Sequence, residues 1–103
     1  MTFGILLKKK IDVYWTPEAL TQVSNIISHL DDKWGDRGTK EFLALLRHFE
    51  RVISTFPKSF KESTKLKACR LGIIHRHITA IYRFDGTTIV VLTVIDNRSQ
   101  FDK

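Results

Sequence analysis

Between Leu20 and Phe56 the chain carries two apolar stripes at helical period with one break between them, and nothing else constrains its fold as strongly. The first stripe is Leu20, Val23, Ile27, Leu30 and Trp34, spaced 3, 4, 3 and 4 apart, with Ile26 widening it. The second is Phe42, Leu45 and Leu46, Phe49, Val52 and Ile53, then Phe56. Residues three and four apart share one face of an α-helix, so each stripe predicts an amphipathic helix with one buried side. The break is Gly35-Asp36-Arg37-Gly38, where Gly35 suits a left-handed helix cap. Two such helices with a short connection are expected to fold back as an antiparallel αα-hairpin. Burial in that hairpin accounts for the aromatic series Phe42, Phe49, Phe56 without a ligand pocket.

Local signals set the limits of the helices. Thr16 can cap, Pro17 suits the first helical position, and Glu18 complements the positive end of the dipole. The first helix is expected over 17–34 and the second over 39–55, stopped by Pro57. Before them, Ile11-Asp12-Val13-Tyr14-Trp15 alternates and is rich in β-formers, which predicts a strand.

After them, residues 58–67 read as a polar loop holding Lys58, Lys61, Lys65 and Lys67. Strands are expected over 66–74 and 78–84, joined through His75-Arg76-His77. Asp85-Gly86 signals a hairpin, since both residues tolerate positive φ. Residues 89–95 form a near-continuous apolar run, as in a central strand covered on both faces. The fold class is α+β: an N-terminal strand, a helical hairpin, then a three-stranded antiparallel block completing a small curved sheet, with the helices on one face.

A chain of 103 residues fits one domain, taken as 10–103, with 1–9 as a loose extension. Its apolar share of 43% supports a real core without disulfides or metal. The single cysteine, Cys69, forms no intrachain disulfide and reads as a small packed residue. No apolar run approaches the roughly 20 residues of a membrane span. Phe3–Leu7 is too short for a signal-peptide core and has its lysines on the wrong side. A cytoplasmic protein with no membrane partner is expected. The net charge of +6 and pI near 9.7 favour an anionic partner.

No Gly-rich phosphate loop, nucleophile elbow or metal-ligand spacing is present, and no cofactor is expected. The basic residues of the strand block are the candidates for chemistry. A tight turn at His75-Arg76 places Arg70 opposite Ile81 and on the same face as Arg83, with Arg98 just beyond the last strand. Arg70, Arg83 and Arg98 would grip phosphates or stabilise developing charge, and His77 would serve as general acid or base. Lys65, Lys67 and Arg76 are candidates for target or phosphate binding. The same residues also read as solvated strand positions, with Asp96 and Arg98 pairing at a strand end. Tyr82 alternates with Ile78 and Ala80 and reads as core, its hydroxyl reaching the sheet's edge.

In this order these residues resemble the RelE/ParE superfamily of toxins from bacterial type II toxin–antitoxin systems. The matching elements are Val13 to Ala19, the helix end Lys33-Trp34-Gly35, Phe56-Pro57, Ile81 to Gly86, and the final strand followed by Asp96-Asn97-Arg98. The resemblance implies a helical hairpin on a curved antiparallel sheet and a toxin neutralised by a cognate antitoxin. It implies one of two targets: DNA gyrase, which ParE-like members inhibit, or mRNA in the ribosomal A site, which RelE-like members cleave. The long regular hairpin is the more ParE-like feature. No Tyr or His follows Ile95, so a nuclease reading rests on phosphate binding more than on proton transfer. A degenerate member that only binds an antitoxin or acts as a regulatory partner is the alternative.

Overall fold

The chain enters its helix through Thr16, whose hydroxyl and N–H hold three hydrogen bonds at once. Its hydroxyl accepts the Ala19 N–H at 3.0 Å and donates to the Leu92 carbonyl at 2.8 Å. Its own N–H donates to the Val91 carbonyl at 3.1 Å. A helix leaves its first N–H groups without partners, and a capping threonine supplies one. Here the same residue also stitches the helix start to the sheet. The computed structural model describes residues 10–97; the expectations for 1–9 and for Arg98 lie outside them, as does the Trp34 side chain.

The elements are β1 (Val13–Trp15), α1 (Pro17–Thr55), β2 (Arg70–His75), β3 (Ile78–Phe84) and β4 (Ile89–Asp96). Two helices are merged within α1, and the break is sharper than expected: Gly35 alone leaves helical geometry, at φ 68 and ψ −159. Residues Asp36 to Gly38 belong to the second limb rather than to a loop. The limbs are antiparallel. A straight helix of 39 residues would run about 58 Å, yet Trp15 Nε1 donates to Glu50 Oε1 at 3.0 Å across 35 positions of sequence.

The sheet has the order β1-β4-β3-β2. It is mixed, not wholly antiparallel, because β1 runs parallel to β4 through Val13–Ile89 and Trp15–Val91. The remaining pairs are antiparallel. Strand β1 covers only the first part of β4. Further along, Gln22 takes its place: its Oε1 accepts the Val94 N–H at 2.6 Å and the Thr93 hydroxyl at 2.7 Å. On β4 Ile89, Val91 and Val94 are buried, while Val90, Leu92 and Ile95 are half-buried. The apolar run therefore marks a strand covered fully on its helix side and partly on the other, not on both faces alike.

The core lies between the hairpin and the sheet. Ala19, Ile26, Phe42, Phe49 and Ile53 from the helices meet Ile78, Ala80, Tyr82, Ile89, Val91 and Val94. Two expected core positions are displaced. Leu20 is 54% exposed because the face toward the sheet begins with Ala19, one residue earlier. Phe56 is 56% exposed, since it lies at the helix end with φ −130, outside the helical phase. Phe60, from the expected loop, supplies the missing ring, 5.8 Å from Phe49 and 6.4 Å from Tyr82. Gly72 makes this packing possible: a Cβ there would overlap the Phe49 ring, with Cζ only 2.8 Å away.

Candidate functional site

Two one-residue irregularities decide where the basic residues of the strands point. The β2–β3 turn is centred on Arg76-His77, and β2 carries an extra residue between Ile73 and His75. Arg70 therefore pairs with Tyr82, and Leu71 pairs with Ile81. Directly opposed residues of an antiparallel pair share a face, so Arg70 lies on the helix side and not beside Arg83. This corrects the expected register by one residue.

Arg70 is enclosed by the loop that precedes it. Its Nη1 donates to the Phe60 carbonyl at 2.8 Å and, at 3.4 Å, to that of Lys58. Its Nη2 pairs with Glu62 at 3.2 Å, and its side chain is 18% exposed. Tyr82 holds the other side of the loop, its hydroxyl donating to the Pro57 carbonyl at 2.7 Å. Burial pushes the Tyr82 phenol above its usual pKa, against the opposing charge of Arg70 and a backbone contact at Phe60. Tyr82 is thus a core residue whose hydroxyl is satisfied internally.

The loop itself is tightly bonded. Ser63 Oγ accepts the N–H groups of Lys65 and Leu66, and the Ser63 N–H donates to the Cys69 carbonyl at 2.8 Å. The Leu71 N–H donates to the Lys61 carbonyl at 2.9 Å, which lays the loop along the start of β2. Ala68 adopts φ 61 to bring the chain back into the strand, which is why β2 starts at Arg70 rather than at Leu66. From this frame Lys58, Lys61, Lys65 and Lys67 project into solvent. Arg83 is exposed nearby, with Nη2 3.9 Å from Cys69 Sγ.

His77 and Arg76 sit at the far end of the same hairpin. Five steps of extended chain separate His75 from Arg70, about 17 Å. There His77 donates its N–H to His75 Nδ1 at 3.3 Å, and the two rings are 5.6 Å apart. Its carbonyl accepts the Asn97 N–H at 2.6 Å. With Arg76, Arg37 and Glu41 it rims an open cleft of about 590 Å³, floored by Leu30, Phe42, Leu45 and Ile78. Arg37 and Glu41 form an ion pair of 3.4 Å, at the (i, i+4) spacing of a helix face.

The structure therefore divides the expected site. Arg70, Arg83, Lys65 and Lys67 gather at one end of β2–β3, while Arg76 and His77 gather at the other. Sequence reasoning missed Glu62 as the partner of Arg70, and Arg37 and Glu41 as cleft residues. The Arg37–Glu41 spacing carried a signal; the Glu62 pairing depends on the fold of the loop and carried none. Among the described residues no group of three or more His, Cys, Asp or Glu could hold a metal ion. No helix among them is long and apolar enough to cross a membrane.

Residues 13–101 match the model of the ParE toxin of the type II toxin–antitoxin system parDE. The chain belongs to the ParE toxin family. Among solved structures, this ParE-family chain is similar to one from the chromosomal ParDE system of P. aeruginosa, with TM-score 0.72 and 16% identity, over 85% of this chain and 97% of that one. A chain of the E. coli DinJ–YafQ toxin–antitoxin complex gives TM-score 0.62 and 9% identity, over 89% and 98%. The Staphylococcus aureus YoeB dimer gives 0.54 and 11%, over 84% and 95%. At these identities the likeness is one of fold, and it extends over nearly the whole of each relative. No curated protein sequence matches the chain.

Proposed function

We propose that this ParE-family protein is a growth-arresting toxin that acts by binding and inhibiting DNA gyrase in the cytoplasm, and that a co-expressed antitoxin neutralises it. Membership in the ParE family supports the toxin–antitoxin setting. The observation that carries the gyrase reading over mRNA cleavage is the separation of the candidate groups. General acid–base chemistry needs the proton-transferring group within hydrogen-bond reach of the reacting atoms. His77 lies in the turn beyond His75, itself about 17 Å along the strand from Arg70, and Arg70 is engaged by Phe60 and Glu62. A binding toxin has no such requirement, since it needs only a rigid surface.

Expression in a host lacking the partner gene should arrest growth, and co-expression of the neighbouring gene product should relieve it. Purified toxin should block gyrase supercoiling and leave ribosome-programmed mRNA intact. Cleavage of that mRNA, abolished by Arg70→Ala or Arg83→Ala, would replace the gyrase reading with a nuclease one. Tight antitoxin binding without any growth defect would mark a regulatory partner instead.

A further inference from the structure

The charge of the chain is unevenly placed. Residues 10–57 carry six Lys and Arg against seven Asp and Glu, so the strand β1 and the hairpin are close to neutral. Residues 58–84 carry seven Lys and Arg against a single Glu. That Glu, Glu62, is paired with Arg70 at 3.2 Å, so it does not offset the lysines around it. The four lysines of the loop are exposed, and Arg83 is exposed close by. Clustering of this kind, rather than net charge, is the electrostatic footprint of a polyanion site.

The cluster is also built on a rigid frame. Arg70, Tyr82 and Ser63 hold the loop through five hydrogen bonds to the backbone of Pro57, Lys58, Phe60, Lys65 and Leu66 and one to the Glu62 carboxylate. The composition further separates two kinds of anionic partner. Protein interfaces are depleted of lysine and centre on aromatic or arginine anchors in apolar pockets. The loop offers four lysines and one partly exposed leucine, Leu66 at 45%. Lysine is a flexible point charge suited to a row of phosphates, where affinity comes from counterion release and not from shape.

From this we propose that the loop 58–67, with Arg83, is a sequence-independent binding surface for the phosphodiester backbone of a double-stranded nucleic acid. It is separate from the cleft at the hairpin's other end and does not depend on the protein being a gyrase inhibitor. About four phosphate contacts predict a salt slope near −3.6 for a DNA duplex, so affinity should fall about a hundredfold between 50 and 200 mM salt.

Fluorescence anisotropy of the full chain with a labelled duplex tests this, using one arm of DNA and one of RNA of the same sequence. Binding in either arm supports the proposal, and the ratio of the two names the source of the phosphates. The triple variant Lys61→Glu, Lys65→Glu, Lys67→Glu should weaken binding at least tenfold and flatten the salt slope. The matched variant Lys40→Glu, Arg47→Glu, Arg51→Glu makes the same change of charge on the exposed side of α1 and should bind much more nearly as wild type does. Circular dichroism checks that both are folded. Equal losses in the two variants would mean that net charge alone drives binding, and would overturn the proposal. So would unchanged duplex binding by the loop variant, above all if it loses affinity for polyglutamate, which would make the loop a docking surface for an acidic protein segment.

Discussion

Arg70 and Tyr82 face each other across β2 and β3 and hold one loop from two sides, Arg70 at the Phe60 carbonyl and Tyr82 at that of Pro57. The basic loop therefore owes its shape to two anchors in the sheet, the half-buried Arg70 and the buried Tyr82. Arg70→Ala removes hydrogen bonds from a charged group and should cost about 2 kcal/mol; Tyr82→Phe should cost about 1 kcal/mol. Because both act on one loop, the double variant should depart from additivity. Urea denaturation measures all three. An Arg70→Ala protein as stable as wild type would show that the clamp contributes nothing.

Gly72 and Phe49 make a second pair. An added methyl at Gly72 meets the Phe49 ring, with Tyr82 Cε1 behind it at 3.3 Å. Gly72→Ala should destabilise the domain by about 1–3 kcal/mol, the cost of overpacking a core. Shrinking the ring should relieve it, so Gly72→Ala is expected to cost less in a Phe49→Leu background than in wild type. Equal costs in both backgrounds would place the clash elsewhere.

Gln22 stands in for a longer β1. Gln22→Ala would leave the Val94 N–H without its acceptor, and the loss should reach about 1–3 kcal/mol if water does not replace it. Hydrogen exchange reads the effect locally: the Val94 amide should exchange faster in the variant, while that of Val91 should change much less. Uniform acceleration along β4 would indicate global destabilisation instead.

Asp85 gives an acid-sensitive turn. Hydrogen bonds from the Thr88 and Thr87 N–H groups, then from the Thr87 hydroxyl, lower its pKa from 3.8 to about 2. A carboxylate whose folded pKa is depressed binds more protons when unfolded, so it adds stability above its unfolded pKa. That contribution is lost as pH falls from near 4 toward 2. Asp85→Asn should therefore be less stable than wild type at neutral pH, with the gap closing as pH falls from near 4 toward 2 and the wild-type carboxylate protonates. Thermal melts at several pH values check this, and a gap that stays constant into acid would rule out the linkage.

Much of the fold was legible because its signals are local. Thr16 and Pro17 open the helix, Gly35 breaks it and Pro57 follows its end, each for reasons confined to a few residues. The stripes through Phe42 and Phe49 report burial directly, since a helix has a fixed period. The candidate site was less legible. Lys65 and Lys67 read as exposed loop residues and are exposed, but Phe60 and Glu62 in the same segment carry no periodic signal. Their positions follow from contacts with Phe49, Tyr82 and Arg70, which lie on three other elements of the fold.

The sequence by itself determined the elements, their order and the concentration of positive charge after Pro57. Only the tertiary structure decided which way that charge faces. One extra residue near Ile74 in β2 and another near Leu92 in β4 shift the pairing. Because side chains alternate along a strand, a shift of one residue moves each of them to the opposite face. The shift in β2 sets Arg70 opposite Tyr82, where it braces the loop, and leaves Arg83 on the other face. Bulges answer to the packing of whole layers, here to Thr16 bonding the Leu92 carbonyl 76 residues away, and no local pattern encodes them.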